Sequence, residues 1–413
     1  MSISKKKQLL HMAITISLII PFLIWGPFFP DLIVSLSSLA FLIYMFRDNL
    51  FFFFKKKPII IFFIFCIYCI LVSIFIAKDI LLSFESSLFY FRIGIFSCLV
   101  WYLLEQYKKI LNYFYYALMI SFSVLIIDGF VQFFITTNNT ELSKMGNRIS
   151  SFFGDELIMG SYLSRLFPLL FALFIVKKKK KLELYFIILF FILLCGLILI
   201  SGERAAFFLY VLSFIFIIIF IKGYAKLRLV VSVGSLIVMI IIISNFNQVK
   251  KRMLTDPLSV LTKSIFTPEH DSLIRTAYNM FLDKPIFGHG PKMFRVICKD
   301  EKYATGDVPC MTHPHNFYVQ LLAETGIIGF GFLFSAFAYV LYCAYRQFKS
   351  IVLRQKRYLT NYQVCLLAGI LITVWPLTTN GNFFHNWLMI VYSLPVGFYL
   401  HSIYGKNRKN ISF

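Results

Sequence analysis

Apolar runs long enough to cross a bilayer as helices recur at about twelve places in this chain, and no other feature constrains its fold as strongly. They lie near residues 9–29, 31–46, 58–77, 87–104, 110–135, 157–176, 182–200, 205–221, 229–244, 317–342, 362–379 and 384–402. Inside lipid a segment must satisfy its own backbone hydrogen bonds, so these runs read as helices. The expected fold class is an all-α membrane protein of about twelve transmembrane helices. Composition agrees, since 59% of the 413 residues are hydrophobic and 50 are Phe, more than a soluble core absorbs. The second, eighth and ninth runs are short for a full crossing at about 1.5 Å per residue. Lys5 to Lys7 followed by the first run has the look of a secretory signal. Its apolar part is too long and no small-residue cleavage site follows, so it reads as a retained span.

The formal charge of +22 raises the question of nucleic acid, but the basic residues come as short runs between apolar spans and not on a soluble surface. They read as topology signals instead. Alternate loops carry Lys5–Lys7, Arg47 with Lys55–Lys57, Lys108 and Lys109, Lys177–Lys181, Lys222 to Arg228, Arg346 to Arg357, and Lys406 to Lys409. The opposite short loops hold only Lys78, Lys144, Arg148 and Arg204. This asymmetry predicts both termini in the cytoplasm and one large external loop. The chain then divides into residues 1–244 with about nine spans, a loop over 245–315 carrying part of a site, and 316–413 with about three spans.

Within the loop, Leu273, Ala277, Met280 and Phe281 fall near helical spacing, which predicts a short amphipathic helix on the membrane surface. The turn FGHGPKMF (Phe287–Phe294) follows it. Cys298 and Cys310 are the two cysteines of the loop, and in an oxidising compartment they can close a small ring near His315. The other cysteines fall in or beside apolar runs and read as packing residues.

Polar groups converge on HPHNFYVQLLAETG (His313–Gly326), at the start of an apolar helix. His315 suits proton transfer, because a helix start disfavours imidazolium and leaves a nitrogen to accept a proton. The alternative is a histidine that only caps the helix, a task Asn316 can perform. His313 reads as a binding residue or a support for His315. Arg204, in SGERAAFF, is a permanently charged fork suited to a phosphate or diphosphate, or else a snorkelling helix-end charge. Arg275 on the loop helix is either a second jaw of that clamp or a solvated residue. Arg92 and Arg165 fall in the external halves of their spans and either pair with Asp128 or line a path for a charged headgroup. Lys144 and Arg148 can frame its entrance. No metal set is evident: His289, His313 and His315 match no ligand spacing.

Together, SGERAAF at 201–207, the Arg275 helix leading into DKPIFGHGPKMF, and HPHNFYVQLLAETGIIGF at 313–330 resemble the O-antigen ligase and polymerase superfamily of bacterial membrane glycosyltransferases. The resemblance covers roughly the second half of the chain. It implies metal-independent and cofactor-free transfer of a glycan from an undecaprenyl-diphosphate carrier to an acceptor hydroxyl at the periplasmic side of the inner membrane. In the ligases the acceptor is a sugar of the lipid A core. By motif position Arg204 and Arg275 would hold the diphosphate and His315 would activate the hydroxyl. His289 and Lys292 stand in the turn where members often have more glycine, which leaves donor or acceptor contacts there open. The rival readings are a polymerase, a protein O-oligosaccharyltransferase, and, from another class, a transporter or flippase. The last would place charges and broken helices near the midplane, whereas here the candidates collect on one side.

Overall fold

The computed structural model describes residues 3–138, 148–177, 181–261 and 266–406, and no β-strand occurs among them. Lys144, the lysines at 178–180, Arg408 and Lys409 lie outside the described residues. Before the long loop come α1 (Lys7–Trp25), α2 (Phe28–Arg47), α3 (Lys57–Phe75), α4 (Ile80–Gln106), α5 (Ile110–Thr137), α6 (Met159–Val176), α7 (Glu183–Ile200), α8 (Arg204–Phe220) and α9 (Ala225–Asn245). The loop contains α10 (Pro268–Asp283), and α11 (Phe317–Val352), α12 (Asn361–Thr373) and α13 (Asn386–Tyr404) follow it. Apart from α8, α10 and α12, each is long and apolar enough to span a membrane. The chain is a multi-pass, all-helical membrane protein.

The basic connections meet one another at one end of the bundle. The Lys222 amide donates to Asn361 Oδ1 and Asn361 Nδ2 donates back to the Lys222 carbonyl, both at 2.8 Å. The Lys406 amide donates to Glu105 at 3.0 Å, and the Lys56 ammonium lies 5.3 Å from the Tyr404 ring centre. Because the spans alternate in direction, the poorly charged connections lie together at the other end.

Two expected elements differ. The run at 362–379 ends as a helix at Thr373, because Pro376 has no amide to donate and disfavours helical geometry before it. Residues 374–385 then run irregularly, with Thr378, Asn380, Asn382 and Phe384 buried and Leu377 exposed. The loop helix α10 is capped by Thr267 with Pro268 in its first turn, as its sequence demands. Its apolar face does not lie on lipid, however. Leu273, Ala277 and Met280 pack with Phe294, Ile297, Tyr303 and Ala323 in a small core of the loop's own. The Cys298–Cys310 disulfide closes beside this core.

The loop is joined to the bundle where α11 breaks. Gly326 has φ +64° and ψ −167°, which interrupts the helix inside an apolar segment and frees three carbonyls. Each finds a donor: His289 N to Ala323 O (3.0 Å), Gly290 N to Glu324 O (2.7 Å) and Tyr68 Oη to Thr325 O (2.6 Å). In return the Ile327 amide donates to Pro285 O at 2.9 Å. The glycine-rich turn and the ETG motif are therefore two halves of one interlock. A Cβ on Gly288 would collide with the Glu324–Thr325 peptide, and one on Gly326 with the Ile286 carbonyl.

Gly326→Ala is expected to destabilise the protein by roughly 2 kcal/mol or more, through a positive φ and a backbone collision together. Gly331→Ala, at a helical position with open space around it, serves as the comparison. Thermal unfolding in detergent measures both, and equal midpoints would contradict the interlock.

Candidate active site

A cavity of about 1140 Å³ opens at the poorly charged end of the bundle. Residues from the α1–α2 elbow, from 148–161, from the α7–α8 turn, from the long loop and from 374–392 all reach it. Arg204, His315, His313, Arg148 and Arg165, read as candidates from the sequence, line it together. Arg275, Arg92, His289, Lys292 and Asn316 do not.

His315 is presented by a constrained backbone. It sits in the left-handed region at φ +57°, a conformation costing a β-carbon-bearing residue about 1 kcal/mol or more. Its neighbours hold it there. The Asn380 amide donates to the His315 carbonyl at 2.8 Å. Asn316 Oδ1 accepts from the Tyr318 and Val319 amides at 3.0 and 3.1 Å, while its Nδ2 donates to Pro376 O at 2.7 Å. Asn316 is thus the helix cap and has little hydrogen-bonding capacity left, which releases His315 from that task. The His315 ring lies 4.1 Å from that of His313 and 5.3 Å from that of His270.

Burial dominates the protonation of these rings. It lowers His315 below the ordinary histidine value, helped by His270 and opposed by the Asn380 backbone. Burial also lowers His270, and with His315 next in weight it takes His313 down to about 3. In all three, burial favours the neutral ring, and in His313 it does so strongly enough to make that ring a poor proton acceptor.

The α7–α8 turn carries the cationic part. Arg204 Nε donates to the Arg252 carbonyl at 2.8 Å and its Nη2 to Asp256 Oδ2 at 3.1 Å. Arg252 Nε donates back to the Gly202 carbonyl at 2.8 Å. Glu203, buried beside them, accepts from the Gly160 amide (2.6 Å), the Ser161 amide (3.1 Å) and the Ser161 hydroxyl (2.8 Å). It therefore caps α6 from another element, favourable at the positive end of a helix. Burial raises its carboxyl above the usual range, against the pull of those donors and of Arg148. Deeper in, Arg165 donates to Asn380 Oδ1 at 2.9 Å and lies 4.3 Å over the Tyr392 ring, with no carboxylate bound to it among the described residues.

The other candidates have different surroundings. Arg275 is largely exposed and its Nε donates to Asp271 at 2.7 Å, one helical turn away. Arg92 forms a two-pronged pair with Asp31 of α2 and also donates to Ser35. Asp128 accepts from the Ser151 hydroxyl and pairs with neither Arg92 nor Arg165, a partner choice set by helix packing. His289 is buried in the loop core with Nε2 3.0 Å from the Met280 carbonyl. Lys292 is half-buried at φ +60°, off the cavity wall. Sequence reasoning passed over Arg252, Arg295, His270, His385 and Asn380, all of which line the cavity. Arg252 and Arg295 were visible only as loop cations; the rest carried no local signal.

A polytopic helical membrane protein with a cation- and imidazole-lined cavity at one end of its bundle is what this fold and site define. Residues 188–334 match the Wzy_C family, described as O-antigen ligase. The chain is also 26% identical over 120 residues to the teichuronic acid biosynthesis protein TuaE of Bacillus subtilis (strain 168). That match covers 29% of this chain and 24% of the relative, so about a quarter of the relative's length is spanned. Both findings are likenesses over part of the chain, and the first covers the α7–α8 turn, the long loop and the start of α11 that carry the site.

Glu203→Ala removes the acceptor of three hydrogen bonds and leaves the α6 amides buried, a loss expected to cost about 1–3 kcal/mol. The measurement is thermal unfolding in detergent. A variant as stable as the parent would show that the cap contributes nothing.

Proposed function

We propose that this protein transfers a glycan from an undecaprenyl-diphosphate carrier to a hydroxyl of a lipid A core sugar, at the periplasmic face of the bacterial inner membrane. The observation that carries the reading is that Arg204 and His315, distant in sequence, line one cavity at the end of the bundle without lysine runs. The charge asymmetry of the loops puts that end outside the cytoplasm.

His315, neutral through burial, accepts the proton of the incoming hydroxyl as its oxygen attacks the anomeric carbon. The bond from that carbon to the diphosphate oxygen breaks, and the electron pair leaves with the lipid diphosphate. Negative charge grows on this leaving group in the transition state, so a guanidinium aimed at it accelerates the reaction more than it tightens ground-state binding. Arg165 supplies a further fixed cation deeper in the cavity. Asn316 and Asn380 act by positioning His315. Arg275, on the helix that also carries His270, remains assigned to the donor from outside the cavity wall, with Asp271 as its exchange partner. Arg92, His289 and Lys292 support the fold of the site in this scheme.

A second reading has its own observation. The relative is a teichuronic acid biosynthesis protein, so the acceptor can instead be a growing carrier-linked polysaccharide, which is the polymerase reaction. Assays with core oligosaccharide and with carrier-linked glycan as alternative acceptors separate the two.

Arg204→Ala and His315→Ala are each expected to lower transfer at least a hundredfold in reconstituted protein, with membrane insertion and melting unchanged. Full transfer by either variant would remove that residue from the mechanism. The pH profile supplies another check. Activity requires unprotonated His315, so it falls as pH drops through a value that burial has placed below the ordinary 6.5. An acid limb of kcat/KM at or above 6.5 that is absent from His315→Asn would assign a different environment to the base.

A further inference from the structure

The segment after α9 carries a cation that neither the motifs nor the family match single out. Arg252 lies in a widened turn over Lys251–Thr255, of π-helical form, a local geometry often found where a side chain is aimed at a site. Its Nε is bound to the Gly202 carbonyl, and the Arg204 Nε is bound in turn to the Arg252 carbonyl. Arg252 is thereby oriented through one nitrogen, leaving the rest of its fork for a ligand, while Arg204, held at Nε and at Nη2 by Asp256, keeps Nη1. Arg148 joins them. A Cβ placed on Gly202 would lie 2.8 Å from Arg252 Nε and 3.2 Å from the Arg148 side chain, so both chains cross directly over this residue. Gly202 also has φ +70°. Glycine is needed there twice, for the backbone and for the space.

Three like charges so close repel, and little on the protein relieves them. Asp256 pairs with Arg204, half-exposed, and Glu203 is occupied by the α6 amides. Burial, Arg148 and Arg204 all weaken the hold of Arg252 on its proton, while Asp256 and Glu203 counteract them. Arg148 Nε is buried without a hydrogen-bond partner. Such a cluster is suited to a compact polyanion whose several oxygens engage several forks together.

We propose that Arg252 and Arg148 complete, with Arg204, a three-guanidinium seat for the diphosphate of a lipid-borne donor, folded around Gly202. This rests on the donor reading above and extends it to two residues. The seat makes the site selective for a diphosphate over a monophosphate, since the second phosphate is what the added forks engage.

The test uses purified full-length protein in detergent and measures binding of glycan-free undecaprenyl diphosphate and undecaprenyl monophosphate, with inorganic pyrophosphate as competitor. The parent protein is expected to prefer the diphosphate lipid at least tenfold. Arg252→Ala and Arg148→Ala are expected to weaken it roughly ten- to hundredfold and to shrink the preference, while monophosphate binding changes little. Arg252→Lys, which keeps the charge without the fork, falls between them and guards against a folding artefact, as does the melting midpoint of each variant. Displacement by pyrophosphate identifies the headgroup as the part recognised. Arg252→Ala and Arg252→Lys that bind the diphosphate as the parent does, while Arg204→Ala does not, would overturn the seat and leave the donor reading standing. A parent that binds neither lipid would overturn both.

Discussion

The structure depends on how one helix is allowed to break. In an apolar environment a freed backbone carbonyl costs several kcal/mol unless it finds a donor, so a break inside a span persists only where other groups fill it. At Gly326 the amides of His289 and Gly290 and the Tyr68 hydroxyl do so. The long loop is consequently fastened to the bundle. The same region holds a buried polar chain: the Phe294 amide donates to Glu324, Gln320 donates to Glu324 and to Asn382, and the Phe383 amide donates to Gln320. One interlock thus places Arg295, three residues after Lys292, and the irregular segment at 380–383 around a common cavity. Apart from Asn382 Nδ2, which is buried without a partner, the members of this network are paired, and a shifted arrangement would leave more buried groups unpaired.

The cavity separates two electrostatic roles. Arg148, Arg165, Arg204, Arg252 and Arg295 cannot lose their charge, and of the lining carboxylates Glu203 is engaged with α6. The histidines beside them are kept neutral by burial. Positive charge therefore comes from groups that do not titrate, and proton acceptance from groups that are free to. A single set of residues could not do both, since an imidazole that supplied the charge would have no lone pair to offer.

The order of the apolar helices could be read directly from the chain, because hydropathy acts over a window of about twenty residues and needs no partner. The Asn316 cap of α11 was legible for the same reason, being set within a few positions, whereas the run read at 362–379 is longer than the helix that Pro376 permits. His313, His315 and Arg204 stood out for a related reason, being polar residues at span ends whose local sequence offered no structural use for all of them.

What could not be read locally is which charge meets which. Arg92 and Arg165 occupy similar depths in their spans, yet one is claimed by Asp31 across a helix interface and the other faces Asn380. Arg252 and Arg275 are both loop arginines, and the fold turns the first over Gly202 and the second toward Asp271. The apolar face of α10 has the same pattern whether lipid or protein covers it, and here Phe294 and Ile297 do. Periodicity records which face is apolar but carries nothing about the partner, since burial is non-directional and long-range contacts leave no trace in neighbouring residues.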